Sequence, residues 1–188
     1  MSVSAQEGET ETEEAEVFIP TYTLGDQMLS INLGLFIPLF FHPFDGAVMS
    51  TGLTIGGVGS LQWQAFLNNN LSLGLELCGM FSFSRNLDVL FMLPITARIS
   101  YTFRSFPFEF PIYLGAGVNF SRHEDMFKID PILKPGVSVF WNATSEWAFG
   151  LNVVYWWIPQ IYLGDLPRAS QGGFGNFMEI TLSALYHF

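Results

Sequence analysis

Glu76, Arg98 and Glu179 are the residues of this 188-residue chain whose type and spacing can do most with charge. Each sits inside a stretch where hydrophobic residues alternate with polar or small ones: Leu75-Glu76-Leu77, Ala97-Arg98-Ile99 and Met178-Glu179-Ile180. In an extended strand that alternation places all three on the face opposite the hydrophobic row. Glu76 follows the turn at 68–70 and Arg98 precedes the turn at 104–108 by similar distances, so adjacent strands carry them at similar height. They are expected to form an ion pair on an enclosed face, with Glu179 reaching in from farther round. Such a group either plugs the space it occupies or, if Arg98 exchanges partners, gates a narrow path through it.

The remaining reactive residues are sparse. His42 and His123 fall in expected loops, and His187 faces inward at the opposite end. Ser121, His123, Glu124 and Asp125 form the nearest approach to an acid–base set, but they are sequence neighbours, not a spaced constellation, and define no catalysis on their own. With Arg122 and Lys128 the same cluster could hold a divalent cation or phosphates, a signal of equally low specificity. The single Cys78 excludes an internal disulfide and has no partner for a CxxC site. Asn142-Ala143-Thr144 fits a glycosylation sequon but lies in a short expected turn. The expectation is a protein that is no enzyme and has no cofactor.

The elements that must position the three charges follow from composition. The chain is 49% hydrophobic and 16% aromatic but only 13% charged, against about a quarter charged in ordinary soluble domains. Its net charge of −10 is concentrated. Residues 1–26 hold seven acids and no base, which leaves ten acids against seven bases in the rest. "EGETETEEAE" therefore reads as a self-repelling tail, and no basic patch offers a nucleic-acid footprint. Gly46 to Leu75 carries no charge, yet "TIGGVGS" and "LNNN" rule out a spanning helix there.

Alternation runs instead through eight stretches. Leu29 to Leu39, Leu53 to Trp63, Leu71 to Phe83, Phe91 to Phe103, Phe110 to Phe120, residues 133–142, residues 147–157 and Ile180 to Phe188 each present a bulky apolar row. The opposite rows are dominated by Gly, Ser, Thr, Asn and Gln. A sandwich in water cannot cover eight such bulky rows. A closed barrel in a bilayer can, with apolar residues toward lipid and polar ones toward a lumen. The expected fold is an all-β, eight-stranded, antiparallel, up-and-down transmembrane barrel over residues 27–188, preceded by the tail at 1–26.

Short links at "NNN", "RSFPF" and "NATSE" alternate with longer ones at "HPFDGAVMS", "RHEDMFKID" and the segment 158–176, with the short "SRNLD" breaking the trend. Aromatic residues gather toward both ends as girdles. A register slip is expected near Gly56–Gly57. Pro135 and Pro159, which cannot donate to a ladder, are placed at the outer ends of neighbouring strands.

The closing strand, with Tyr186 and Phe188 ending its apolar row, resembles the signal that outer-membrane barrels present to the assembly machinery. As architecture, residues 27–188 resemble the small eight-stranded barrels of the OmpA, OmpX, OmpW and PagP group, and the Phe- and Gly-rich style is similar to spirochaete barrels. The resemblance implies a monomer in the bacterial outer membrane, surrounded by its lipid, with the N-terminus in the periplasm; the small residues Ser-Val-Ser-Ala before Gln6 are read, from their own pattern, as a signal-peptide remnant. It leaves open a structural role, a narrow channel for small or hydrophobic solutes, an adhesin whose outer loops bind an extracellular partner, or a lipid-modifying enzyme using His123. By likeness to PagP it also implies a lateral opening beside Pro135 and Pro159.

Overall fold

The computed structural model describes residues 21–84, 88–123, 126–160 and 172–188. The strands are β1 (Gln27–Pro43), β2 (Gly56–Phe66), β3 (Leu71–Phe83), β4 (Val89–Ser105), β5 (Phe108–His123), β6 (Met126–Asn142), β7 (Trp147–Gln160) and β8 (Gly173–His187). Each pairs antiparallel with its neighbour, and β8 pairs with β1 to close a barrel. Closure leaves no sheet edge, so the ladder satisfies the backbone, as hydrocarbon requires.

The two faces separate as the alternation dictates. Leu33 and Leu182 are 66% and 70% exposed, while Asn32 and Thr181 beside them are each at 1%. So much exposed apolar surface is unfavourable in water and natural against lipid. At 17 residues, β1, β4 and β6 exceed the roughly 9–11 residues that cross a bilayer, so their ends project beyond the hydrocarbon.

Three expectations are corrected. The register shift falls between Pro38 and Phe40 on the β1–β8 seam, where Pro38 lacks an N–H; Gly56 and Gly57 stay in register with Phe36 and Leu35. The expected long link after β5 is largely strand: β5 runs to His123 and β6 begins at Met126, pairing with it. Asp130 there points inward between outward Ile129 and Pro131, and the charge makes continuous alternation look like a loop. As a result Pro135 lies in mid-strand opposite Leu114, not at a strand end, and Pro159 lies within β7 opposite Phe174.

Candidate functional site: a three-layered lumen

The inward side chains stack in three layers between the short-turn mouth (turns near 67–70, 106–107 and 143–146) and the long-connection mouth.

At the short-turn mouth Tyr22, just ahead of β1, folds into the opening. Its ring stacks on Phe66 at 4.1 Å and on His187 at 4.9 Å, with the Arg104 guanidinium 4.4 Å over its face. Its hydroxyl donates to Glu109 Oε1 at 3.2 Å and lies 3.0 Å from His187 Nε2. Its backbone N–H donates to Asn69 Oδ1 at 3.0 Å, and Gly25 N–H donates to the Phe66 carbonyl at 3.1 Å. Burial, and then the Glu109 carboxylate, push the Tyr22 phenol well above its ordinary range. Arg104 also pairs with Glu109 at 3.3 Å.

The middle layer is polar and charged. Ser30 donates to Gln62, and Asn32 donates to Ser60 at 2.9 Å. Asn152 donates to Thr181 at 3.0 Å and also bonds Ser183. Above them Lys134 Nζ lies 2.5 Å from Glu76 Oε1 and 3.2 Å from Glu179 Oε2. Trp156 Nε1 donates to Glu179 at 2.8 Å, and its ring faces Lys134 Nζ at 4.4 Å. Glu76, Lys134 and Glu179 are all at most 3% exposed. Glu76, Cys78 and Glu179 also bring three potential metal-ligand atoms within 4.8 Å of one another. The Lys134 ammonium already holds both carboxylates, so the arrangement is a salt cluster whose cation is supplied by the chain.

The expected pairing of Glu76 with Arg98 is corrected on this geometry. Both point inward from neighbouring strands, but Glu76 pairs with Thr96 across the ladder and Arg98 with Gly74, offsetting them by two residues. Lys134 takes the carboxylate instead. Arg98 lies with its guanidinium 3.1 Å over the Tyr113 ring, and its Nε is buried without a hydrogen-bond partner. The Tyr113 ring fits because Gly136 faces it: a Cβ on Gly136 would sit 2.4 Å from the ring. Glu179 does reach the cluster from β8. Lys134 was legible in the sequence, since it shares the inward parity of Gly136 and Ser138.

Toward the long-connection mouth the lumen turns apolar, against the expectation of a polar interior throughout. Phe36, Met80, Met92, Ile132, Trp156 and Phe177 pack there, with Phe36 in contact with Trp156 and Phe177 at 5.1 and 5.0 Å between ring centroids. Beyond them a cavity of about 290 Å³ lies under the 44–55 connection.

The other sequence candidates are dispersed. Tyr186 stacks on Phe188 and meets the tilted ring of Trp147 on the outer wall, and Phe188 exchanges backbone hydrogen bonds with Gln27. His42 is exposed on β1 beside Phe174, far in sequence from Ser121 on β5. Glu124 and Asp125, the acidic tail within 1–20 and most of the 158–176 segment lie outside the described residues.

A closed, lipid-facing barrel of eight strands around a side-chain-filled lumen defines a small outer-membrane β-barrel. Comparisons agree. The structure is similar to Neisserial surface protein A (TM-score 0.64, 10% identity, 87% of this chain and 97% of that one). It is also similar to OprG of Pseudomonas aeruginosa (0.54, 14%, 89% and 98%) and to Ail, the attachment invasion locus protein of Yersinia pestis (0.50, 15%, 88% and 100%). At such identities the likeness is one of fold. In sequence the chain is similar to an uncharacterized protein of Borreliella burgdorferi, 29% identical over 150 residues covering 68% of this chain and 70% of the relative. A second uncharacterized relative, from Treponema pallidum, is 27% identical over 156 residues, covering 76% and 67%. One protein-family model matches residues 7–186, and the chain belongs to that family.

Proposed function

We propose that this outer-membrane barrel is a monomeric, non-enzymatic, normally closed narrow channel for small or hydrophobic solutes, gated by Glu76, Lys134, Glu179 and Arg98. The observation that carries the reading is the state of the four charges. Two acids and two bases balance across mid-lumen, yet Arg98 is held by an aromatic face and keeps an unsatisfied Nε. Transfer of Arg98 from Tyr113 to Glu76 would let Lys134 remain with Glu179 alone. The cluster would divide with every charge still paired, which is the condition for a low-cost rearrangement in a buried site.

The remaining assignments fit this reading. Tyr22 docks the residues just ahead of β1 into the short-turn mouth, the end that faces the periplasm in barrels of this class, and so favours a periplasmic N-terminus. Tyr186 and Phe188 at the β8–β1 seam serve as the signal read by the barrel assembly machinery. Between β6 and β7 the ladder pairs Leu133 with Trp157 and Gly136 with Val154 but skips Pro135, the weakest point of the wall for a lateral opening. At Pro159 the ladder to Phe174 is intact, so that half of the opening has less support.

The test is single-channel recording in planar bilayers, beside Glu76→Gln and Arg98→Ala. The reading expects rare brief openings in the natural protein and altered open probability in both variants. Silence in all three, with folded and inserted protein verified, would leave a plugged barrel with a structural role.

A further inference from the structure

We infer that the short-turn mouth is a socket for a phenol ring, which Tyr22 fills in cis as a tethered plug and which a free para-substituted phenol fills once the Tyr22 ring is removed. The socket lies at one end of the barrel, away from the charge cluster, so the inference stands whether or not the barrel conducts.

The tether comes first. Tyr22 lies ahead of β1, and the residues between it and Gln27 form a tight turn. Asp26 Oδ2 accepts from the Thr23 N–H at 2.7 Å and from the Thr23 hydroxyl at 3.2 Å, and the Asp26 N–H donates to the Thr23 carbonyl at 3.3 Å. Gly25 sits at φ 101°, a left-handed conformation that favours glycine, and its N–H donates to the Phe66 carbonyl. With the Tyr22 N–H bonded to Asn69, these contacts turn the chain back over the mouth.

The socket is built by the barrel and not by its occupant. Phe66 ends β2, Asn69 belongs to the next turn, and Arg104, Glu109 and His187 come from β4, β5 and β8. Glu109 Oε1 also accepts from Arg104 Nε and from Asn142 Nδ2, each at 3.3 Å, and Arg104 Nη1 donates to Asn69 Oδ1 at 3.0 Å. Those bonds hold the polar walls in place without Tyr22.

The contacts of Tyr22 define the ligand chemistry. Phe66 lies parallel to its ring within 2°, and the Arg104 guanidinium lies over its face, so the socket takes a flat aromatic body. At the far end the phenol donates to Glu109, which leaves His187 Nε2 as the group that donates back to the phenol oxygen. A phenol satisfies both partners. A ring without a hydroxyl satisfies neither, and a benzoate sets a second carboxylate against Glu109. Tyr22 also packs with Phe66, Phe140 and Leu185, which line a cavity of about 20 Å³ reaching Ser100 and Arg98. The ring therefore stands between the short-turn side and the polar middle layer. Tethering gives it an effective concentration on the order of millimolar, so a free phenol competes poorly while Tyr22 is present.

The experiment uses the full chain in lipid nanodiscs, with the one native thiol removed by Cys78→Ser and a reporter introduced by Thr102→Cys. Thr102 is 2% exposed and lines the same cavity. The rate of its modification by a water-soluble methanethiosulfonate is read with and without Tyr22→Ala. Tyr22→Ala is expected to speed modification by about tenfold, the effect of an ordinary docking contact. 4-Methylphenol, the side chain that was removed, is expected to restore the slow rate, while toluene and 4-methylbenzoate at equal concentration do not. None of the three is expected to change the rate when Tyr22 is present. Ser100→Cys, on the same cavity, serves as reporter should Thr102→Cys fail to show the heat-modifiable mobility of a folded barrel. An unchanged rate after Tyr22→Ala at a folded reporter would overturn the plug. Acceleration that 4-methylphenol fails to reverse, or that toluene or 4-methylbenzoate reverses equally well, would overturn the phenol socket.

Discussion

Replacing Lys134 with methionine keeps most of the side-chain volume and removes the one charge that touches both carboxylates of the middle layer. Glu76 and Glu179 then face each other across at most 4.8 Å, with Arg98 the nearest remaining base of the layer. At that separation two unit charges repel by about 3–4 kcal/mol at an effective dielectric constant of about 20. The figure agrees with the roughly 3–5 kcal/mol lost when a buried ion pair is broken by removing one partner. Lys134→Met is therefore expected to lose about 3–5 kcal/mol, read from guanidinium unfolding in lipid vesicles with an unchanged denaturant slope. Glu76→Gln alone unbalances the layer in the opposite sense and should cost a similar amount. The double variant restores neutrality, leaving Glu179 with Arg98, and should recover a large part of the summed loss as a positive coupling energy. A single-variant loss below about 1 kcal/mol, or a double variant no better than the sum, would refute the reasoning.

Two further substitutions test the other contacts of the lumen. Gly136→Ala drives a Cβ into the Tyr113 ring, so it should destabilise the barrel by about 1–3 kcal/mol and shift the cation lying on that ring, the Arg98 guanidinium, in nitrogen NMR spectra. Tyr22→Ala removes the stack on Phe66 and His187 while leaving all eight strands paired; amide exchange at residues 22–25 should accelerate strongly while exchange within β2 and β5 stays slow.

The fold was largely legible because two-residue alternation is a local pattern. Leu33 beside Asn32 and Leu182 beside Thr181 state their facing without knowledge of any partner strand. The inward position of Glu76, Arg98 and Glu179 follows from the same parity. Their partners do not, because pairing depends on the stagger of strands around the barrel. Lys134 reaches Glu76 across strands far apart in sequence, at a separation of 58 residues, which no reading of neighbouring turns gives. Tyr22 was hidden for a related reason: it lies outside every alternating stretch, and its site is assembled from Phe66, Asn69, Arg104, Glu109 and His187. The apolar layer was obscured differently. Phe36, Val58, Met80 and Met92 occupy inward positions, but an average over each whole inward row dilutes them with Gly, Ser and Asn. Asp130 misled in the reverse sense, its charge suggesting a loop where a lumen wall stands.

The central claim is that Lys134, not Arg98, neutralises both mid-lumen carboxylates. Its most direct test is a solid-state NMR distance measurement in lipid bilayers between the lysine ¹⁵Nζ and glutamate ¹³Cδ carboxyl carbons, compared with Lys134→Met and Glu76→Gln. The account predicts strong dephasing of one lysine signal by two carboxyl groups, abolished by Lys134→Met and weakened by Glu76→Gln. A Lys134 signal with no close carboxyl, accompanied by an Arg98 guanidinium in direct contact with Glu76, would contradict it.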